Sequence, residues 1–234
     1  MADFVQVEVG GSPMRILHTT PAGAGPHPAM VIMFHRGGFD AFTEKVANDL
    51  AAAGYVAAAP DVYHYPPVHE KAADNDFPVD PEIIADIGAT LDYLKARGDV
   101  DMNRLGIIGH CMGGRMSFLG ASTHAQFKAC VAYYSGNMFK PWGDPDGPTP
   151  FDRLKNMKAE VAGFFGNDDG NPSPDDVAKL DAELTRLGIK HSFNQYDGAG
   201  HAFQNFLSDE RFRPDQTADS WSKTVPFLDG VLKG

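Results

Sequence analysis

Apolar residues follow two rhythms along this chain. Continuous apolar runs occur at Ala29–Phe34, Tyr55–Ala59, Leu105–Ile108 and Ala129–Tyr134, and Glu160–Phe165 reads as a strand that is apolar after its first residue. Runs of this length without alternation are what parallel strands buried on both faces produce. Phe4–Val9 alternates instead, as a half-exposed strand does. Gly10-Gly11 then turns the chain back into Met14–His18, which predicts an N-terminal hairpin. Ile189–Tyr196 supplies the last strand. Apolar residues at helical spacing predict helices over Thr43–Ala53, Glu82–Arg97 (Ile83, Ile84, Ile87, Leu91, Leu94), Met112–Ser122, Phe151–Met157, Pro174–Leu187 and Thr217–Leu232. Strands alternating with helices imply the α/β class, a mostly parallel central sheet with helices on both faces. No repeat or low-complexity linker breaks the pattern, so residues 1–234 are expected to form a single domain. Residues 61–81, rich in His, Tyr and Pro, are long for a connection inside a domain and are expected to be a functional loop.

Composition narrows the function classes. A net charge of −11 argues against nucleic acid as a partner, because phosphate binding needs a basic face. No run of eighteen apolar residues suggests a membrane span, and the N-terminus lacks the basic and apolar regions of a signal peptide. A cytoplasmic monomer or small homo-oligomer is the expectation. Two cysteines, Cys111 and Cys130, cannot make a disulfide framework. Cys130 lies in a strand-like run and reads as an inert core residue.

Cys111 is different. It sits in Gly109-His110-Cys111-Met112-Gly113, between an apolar run and a helix-compatible one. This is the G-x-nucleophile-x-G elbow with cysteine in the place of serine. A nucleophile on a sharp strand-to-helix turn needs small neighbours, which Gly109 and Gly113 provide, and the N-terminus of the following helix favours a thiolate. Such a cysteine needs a base and an orienter for the base. In the order nucleophile, acid, histidine, the acid follows a later strand and the histidine the last one. Gly166-Asn167-Asp168-Asp169 offers two candidate acids at the first place. Gly198-Ala199-Gly200-His201 offers the histidine at the second.

With these residues in view, the chain resembles the dienelactone hydrolase family of the α/β-hydrolase fold. The likeness runs from Ala29–Phe34 to the final helix. It rests on residues 52–63 (Ala-Ala-Gly-Tyr-Val-Ala-Ala-Ala-Pro-Asp-Val-Tyr), the cysteine elbow, Gly166–Asp169 and Gly198–Phe203. The resemblance implies a Cys-His-Asp triad of Cys111, His201 and, at the fourth position of the Gly-x-x-Asp turn, Asp169 rather than Asp168. It implies an oxyanion hole from the backbone N–H groups of Met112 and Arg36. Such a donor typically contributes about 3 kcal/mol to the transition state.

The sequence also departs from the family. His35 stands where the dienelactone-cleaving members have a glutamate that contacts the thiol; as a cation it would favour the thiolate, and otherwise it fills the pocket wall. Asn205 stands where they carry an arginine, and residues 75–81 offer none in place of another. A guanidinium clamp on a substrate carboxylate is therefore not expected, although Arg36 is available, and a neutral ester or lactone is. His110 reads as a packing or hydrogen-bonding residue. Tyr63, His64, Tyr65 and His69 lack the spacing of a metal-ligand set, so neither metal nor other cofactor is expected. Phe39, Tyr134, Trp142 and Phe203, with His35, are candidates to line a substrate pocket.

The resulting expectation is hydrolysis of small carboxylic esters or lactones through a cysteine acyl-enzyme. Alternatives are an aryl esterase or thioesterase that also attacks phosphotriesters, a non-catalytic ligand-binding protein of the same fold, and a redox sensor at Cys111.

Overall fold

The computed structural model describes residues 2–65 and 78–234. Its strands are β1 (Asp3–Val9), β2 (Ser12–Thr19), β3 (His27–Met33), β4 (Val56–Pro60), β5 (Val100–His110), β6 (Phe127–Tyr133), β7 (Glu160–Gly166) and β8 (His191–Tyr196). They form one eight-stranded sheet in the order β1-β2-β4-β3-β5-β6-β7-β8. The hairpin β1–β2 and the β2–β4 pair are antiparallel; the remaining pairs are parallel. The helices are α1 (Ala41–Ala52), α2 (Asp80–Ala96), α3 (Met112–Thr123), α4 (Pro150–Arg153), α5 (Pro174–Arg186) and α6 (Pro214–Leu232). A single 3₁₀ turn, Leu154–Asn156, extends α4, so the expected Phe151–Met157 helix is two shorter pieces.

The uninterrupted apolar runs have the cause the sequence suggested: each strand serves two cores. Val31 and Met33 of β3, Ile107 of β5 and Ala132 of β6 point to one side, with Ile87 of α2, Met116 of α3 and Leu180 of α5. Their neighbours Met30, Ile32, Ile108 and Val131 point to the other, with Val46 of α1 and Leu228 of α6. Cys130 is fully buried in the first core, and burial drives its thiol pKa far up.

Strand β5 is longer than Leu105–Ile108 predicts. Its first half, Val100–Arg104, extends beyond the start of β6, which pairs from Leu105 onward, and is only partly buried. Without a second face to cover, that half carries no apolar signal. Among the described residues no helix is long and apolar enough to cross a membrane.

Candidate active site

At the C-terminal end of β5 the chain turns into α3 at Cys111, which adopts φ 57° and ψ −119°. A non-glycine residue in that region costs about 1–3 kcal/mol, and the surroundings must hold it there. They do so by contact. A side chain on Gly109 would overlap the carbonyl of Gly113, and one on Gly113 would overlap the carbonyl of Met33 at the end of β3. The elbow is thus wedged against the strand whose following loop carries Arg36. Cys111 N–H donates to the Tyr133 carbonyl at 3.0 Å, fixing the turn to β6 as well.

Two further strand ends deliver the partners. Gly166 closes β7, and a side chain there would overlap the Ala199 carbonyl, so the two loops touch. The Asp168 N–H donates to that same carbonyl at 2.9 Å. This approach brings His201 Nδ1 to 2.8 Å from Asp169 Oδ2 and His201 Nε2 to 2.9 Å from Cys111 Sγ. The other Asp169 oxygen accepts from Asn171 N–H at 2.8 Å. Asp168, left open by the residues alone, is exposed and points elsewhere; Asp169 is buried against the imidazole.

The electrostatics follow from that geometry. Burial pushes the Cys111 thiol up, but the hydrogen bond and charge of His201, with N–H donation from Met112 and Arg36, outweigh it and hold the thiol below its ordinary value. Burial disfavours the imidazolium, yet the hydrogen bonds it donates to Asp169 and Cys111 lift His201 to about 10. Both shifts favour a thiolate paired with an imidazolium. Both backbone N–H groups expected to form an oxyanion hole already point at the reacting centre. The Tyr63 hydroxyl lies 3.3 Å from the Arg36 carbonyl and from Met112 Sδ, tying the two donors together.

A cavity of about 280 Å³ opens above the sulfur, lined by His35, Arg36, Met112, Tyr134, Trp142 and His201 among others. Tyr134 packs edge-on against His201 at 5.3 Å. His35 Nε2 is 2.8 Å from Asp40 Oδ2, and its Nδ1 accepts from Gly37 N–H at 3.2 Å. These contacts brace the loop bearing Arg36.

Two expected lining residues stand behind the wall. Phe39 packs with Phe4, Phe34 and Arg15 under the N-terminal hairpin. Phe203 is fully buried behind Tyr134, 5.3 Å from its ring. Both sit next to residues that do reach the cavity, and their chain positions alone could not show which way the rings turn. Conversely, Phe42, Asn137, Asn171 and Arg211 line the cavity unforeseen. Arg211 comes from the loop between His201 and α6, ten residues past the histidine, where no spacing rule points to it.

His110 is fully buried. It stacks on Tyr133, and its Nε2 lies 2.9 Å from Gln204 Oε1. Burial pushes it down to about 3, so it stays neutral and is no second base. His64 and Tyr65 both hydrogen-bond Asp86 of α2, at 3.1 and 3.2 Å, and His69 lies outside the described residues. Sequence reading also passed over Arg115, fully buried in α3. It forms a two-pronged ion pair with Asp80 at 2.5 and 3.0 Å and lies 3.8 Å under the Trp142 ring.

Comparison with known proteins agrees with this architecture. A Synechocystis sp. protein named as a carboxymethylenebutenolidase is 26% identical over 91% of this chain and 90% of its own length. A Bradyrhizobium sp. protein named as a 2-oxo-3-(5-oxofuran-2-ylidene)propanoate lactonase is 28% identical over 99% and 95%. The crystal structure of a Klebsiella pneumoniae protein described as a dienelactone hydrolase superposes with a TM-score of 0.84 at 25% identity, covering 97% of this chain and 98% of that one. The sequence pattern of the dienelactone hydrolase family matches residues 14–232. With the match spanning nearly the whole sheet and every loop that builds the cavity, this chain belongs to the dienelactone hydrolase family of hydrolases.

Proposed function

We propose that the protein hydrolyses small carboxylic esters or lactones through a thioester on Cys111. The observation that carries this is the unbroken line from Asp169 through His201 to Cys111, at 2.8 and 2.9 Å. The Cys111 thiolate attacks the carbonyl carbon, and the developing oxyanion rests on the N–H groups of Met112 and Arg36. On collapse the ester C–O bond breaks and His201 gives its proton to the leaving oxygen. Water, deprotonated by His201, then attacks the thioester and frees the acid. An assay with a small aryl ester tests the scheme. Cys111→Ala and His201→Ala are each expected to lower kcat/KM by at least about a hundredfold; turnover surviving both substitutions defeats it.

The cavity also refines the expected substrate. Arg36 and Arg211 bring positive charge to a wall that sequence spacing left without a clamp. Esters bearing a carboxylate are expected to be accepted beside neutral ones. Arg211→Gln should raise KM for a succinate monoester several-fold and leave that of the neutral acetate unchanged, given the strength of charge-assisted pairs. Equal changes in both would remove Arg211 from substrate selection.

A further inference from the structure

A second cavity, of about 190 Å³, adjoins the first; Asn137 and Asn171 line both. Its walls are otherwise mainly apolar: Phe139, Phe165, Val177 and Leu180. The volume exceeds the roughly 150 Å³ that accommodates benzene in an apolar protein cavity.

Position decides which half of a substrate it would receive. The sheet order sets β3, whose loop carries the Arg36 N–H, on one side of β5, and β6 and β7 on the other. The second cavity lies on the β6 and β7 side, between the loop after Tyr133 and the turn that carries Asp169. The carbonyl oxygen is drawn towards Met112 and Arg36. The bond that breaks must face His201, which Asp169 holds from the β7 side.

Building on the ester-hydrolase reading, we infer that this second cavity is a leaving-group subsite for an aryl alcohol. In the first step the C–S bond forms, the bond between the carbonyl carbon and the aryloxy oxygen breaks, and that oxygen takes the His201 proton and leaves as the phenol while its ring occupies the cavity. Phe139 lies partly exposed on its rim, 40% accessible, and supplies a face for the ring.

The test combines kinetics with direct binding. Phe139→Ala removes part of the wall from the surface, and Val177→Phe fills it from α5; neither residue lines the cavity above Cys111. For phenyl acetate both are expected to raise KM by about tenfold, the scale of a lost apolar contact, with kcat/KM for ethyl acetate within about twofold of the unsubstituted protein. Loss that instead follows the acyl series, phenyl acetate against phenyl hexanoate, overturns the assignment, as does equal loss on phenyl and ethyl acetates. Calorimetry of hydroquinone binding to Cys111→Ala protein separates this inference from the hydrolase reading. Binding that weakens on adding Val177→Phe upholds the subsite even if no ester is turned over; no effect of that substitution, or no binding, overturns it.

Discussion

At the residue scale, the unusual item is a cysteine held in left-handed backbone with its sulfur inside a ring of donors. Burial alone would make Cys111 as inert as Cys130, whose thiol is raised by desolvation and nothing else. What separates the two is His201 at 2.9 Å and the N–H groups of Met112 and Arg36. The sign of the pH dependence follows. With His201 lifted to about 10 and the thiol lowered, both shifts favour the thiolate–imidazolium pair. Alkylation by iodoacetamide is expected to rise with a midpoint below the roughly 8.5 of a free thiol. Replacing His201 by Ala removes the largest favourable cause while burial persists, so the midpoint should move above 8.5. A midpoint unchanged by His201→Ala would show that the sulfur is activated by something else.

At the element scale, α3 does more than present its N-terminus. One turn beyond the elbow it buries Arg115, whose guanidinium holds Asp80 at the start of α2 and the carbonyls of Asn137 and Lys140. Trp142 closes over it. One side chain thereby pins the loop after β6, which lines both cavities, to two helices. Breaking a buried pair from one side strands a charge, at a cost of about 3–5 kcal/mol. Asp80→Asn is expected to lower stability in urea unfolding by that amount. Adding Arg115→Met should cost far less than a second such loss, since the stranded charge is then gone. Additive losses would mean that the two groups do not act as a pair. A lesser brace serves the loop after β3. Asp40 caps α1 through Phe42 N–H and Thr43 N–H at 3.0 Å while its other oxygen binds His35.

At the scale of the whole molecule, the site is assembled from five strand ends at one edge of the sheet: β3, β5, β6, β7 and β8. A buried polar path couples three distant parts. His110 on β5 meets Gln204 beyond His201, and Gln204 donates to the Ser220 hydroxyl on α6 at 2.7 Å. Gln204→Leu would leave His110 and Ser220 without these partners, at about 1–3 kcal/mol per unsatisfied group. The expected result is a lower Tm together with a lower kcat, because the same residue anchors the segment that presents His201. A fall in Tm with kcat unchanged would show that the anchor serves stability alone.

The chain's own pattern determined the alternation of strands and helices, the wedge of Gly109 and Gly113 about Cys111, and the order in which Asp169 and His201 follow. These are local properties. Burial on both faces forces continuous apolar runs, and a tight turn forces glycine, whatever the rest of the molecule does. Between the two neighbouring aspartates the residues alone left the choice open, the family resemblance favoured Asp169, and the β7 turn aims the Asp169 carboxylate at the imidazole. Phe39 and Phe203 proved to stand behind the wall, and Arg211 and Asn171 on it, because lining depends on side-chain direction and on loops meeting across the sheet. Arg115 was hidden for the same reason. A buried cation is legible only beside its partner, and Asp80 lies thirty-five residues away along the chain.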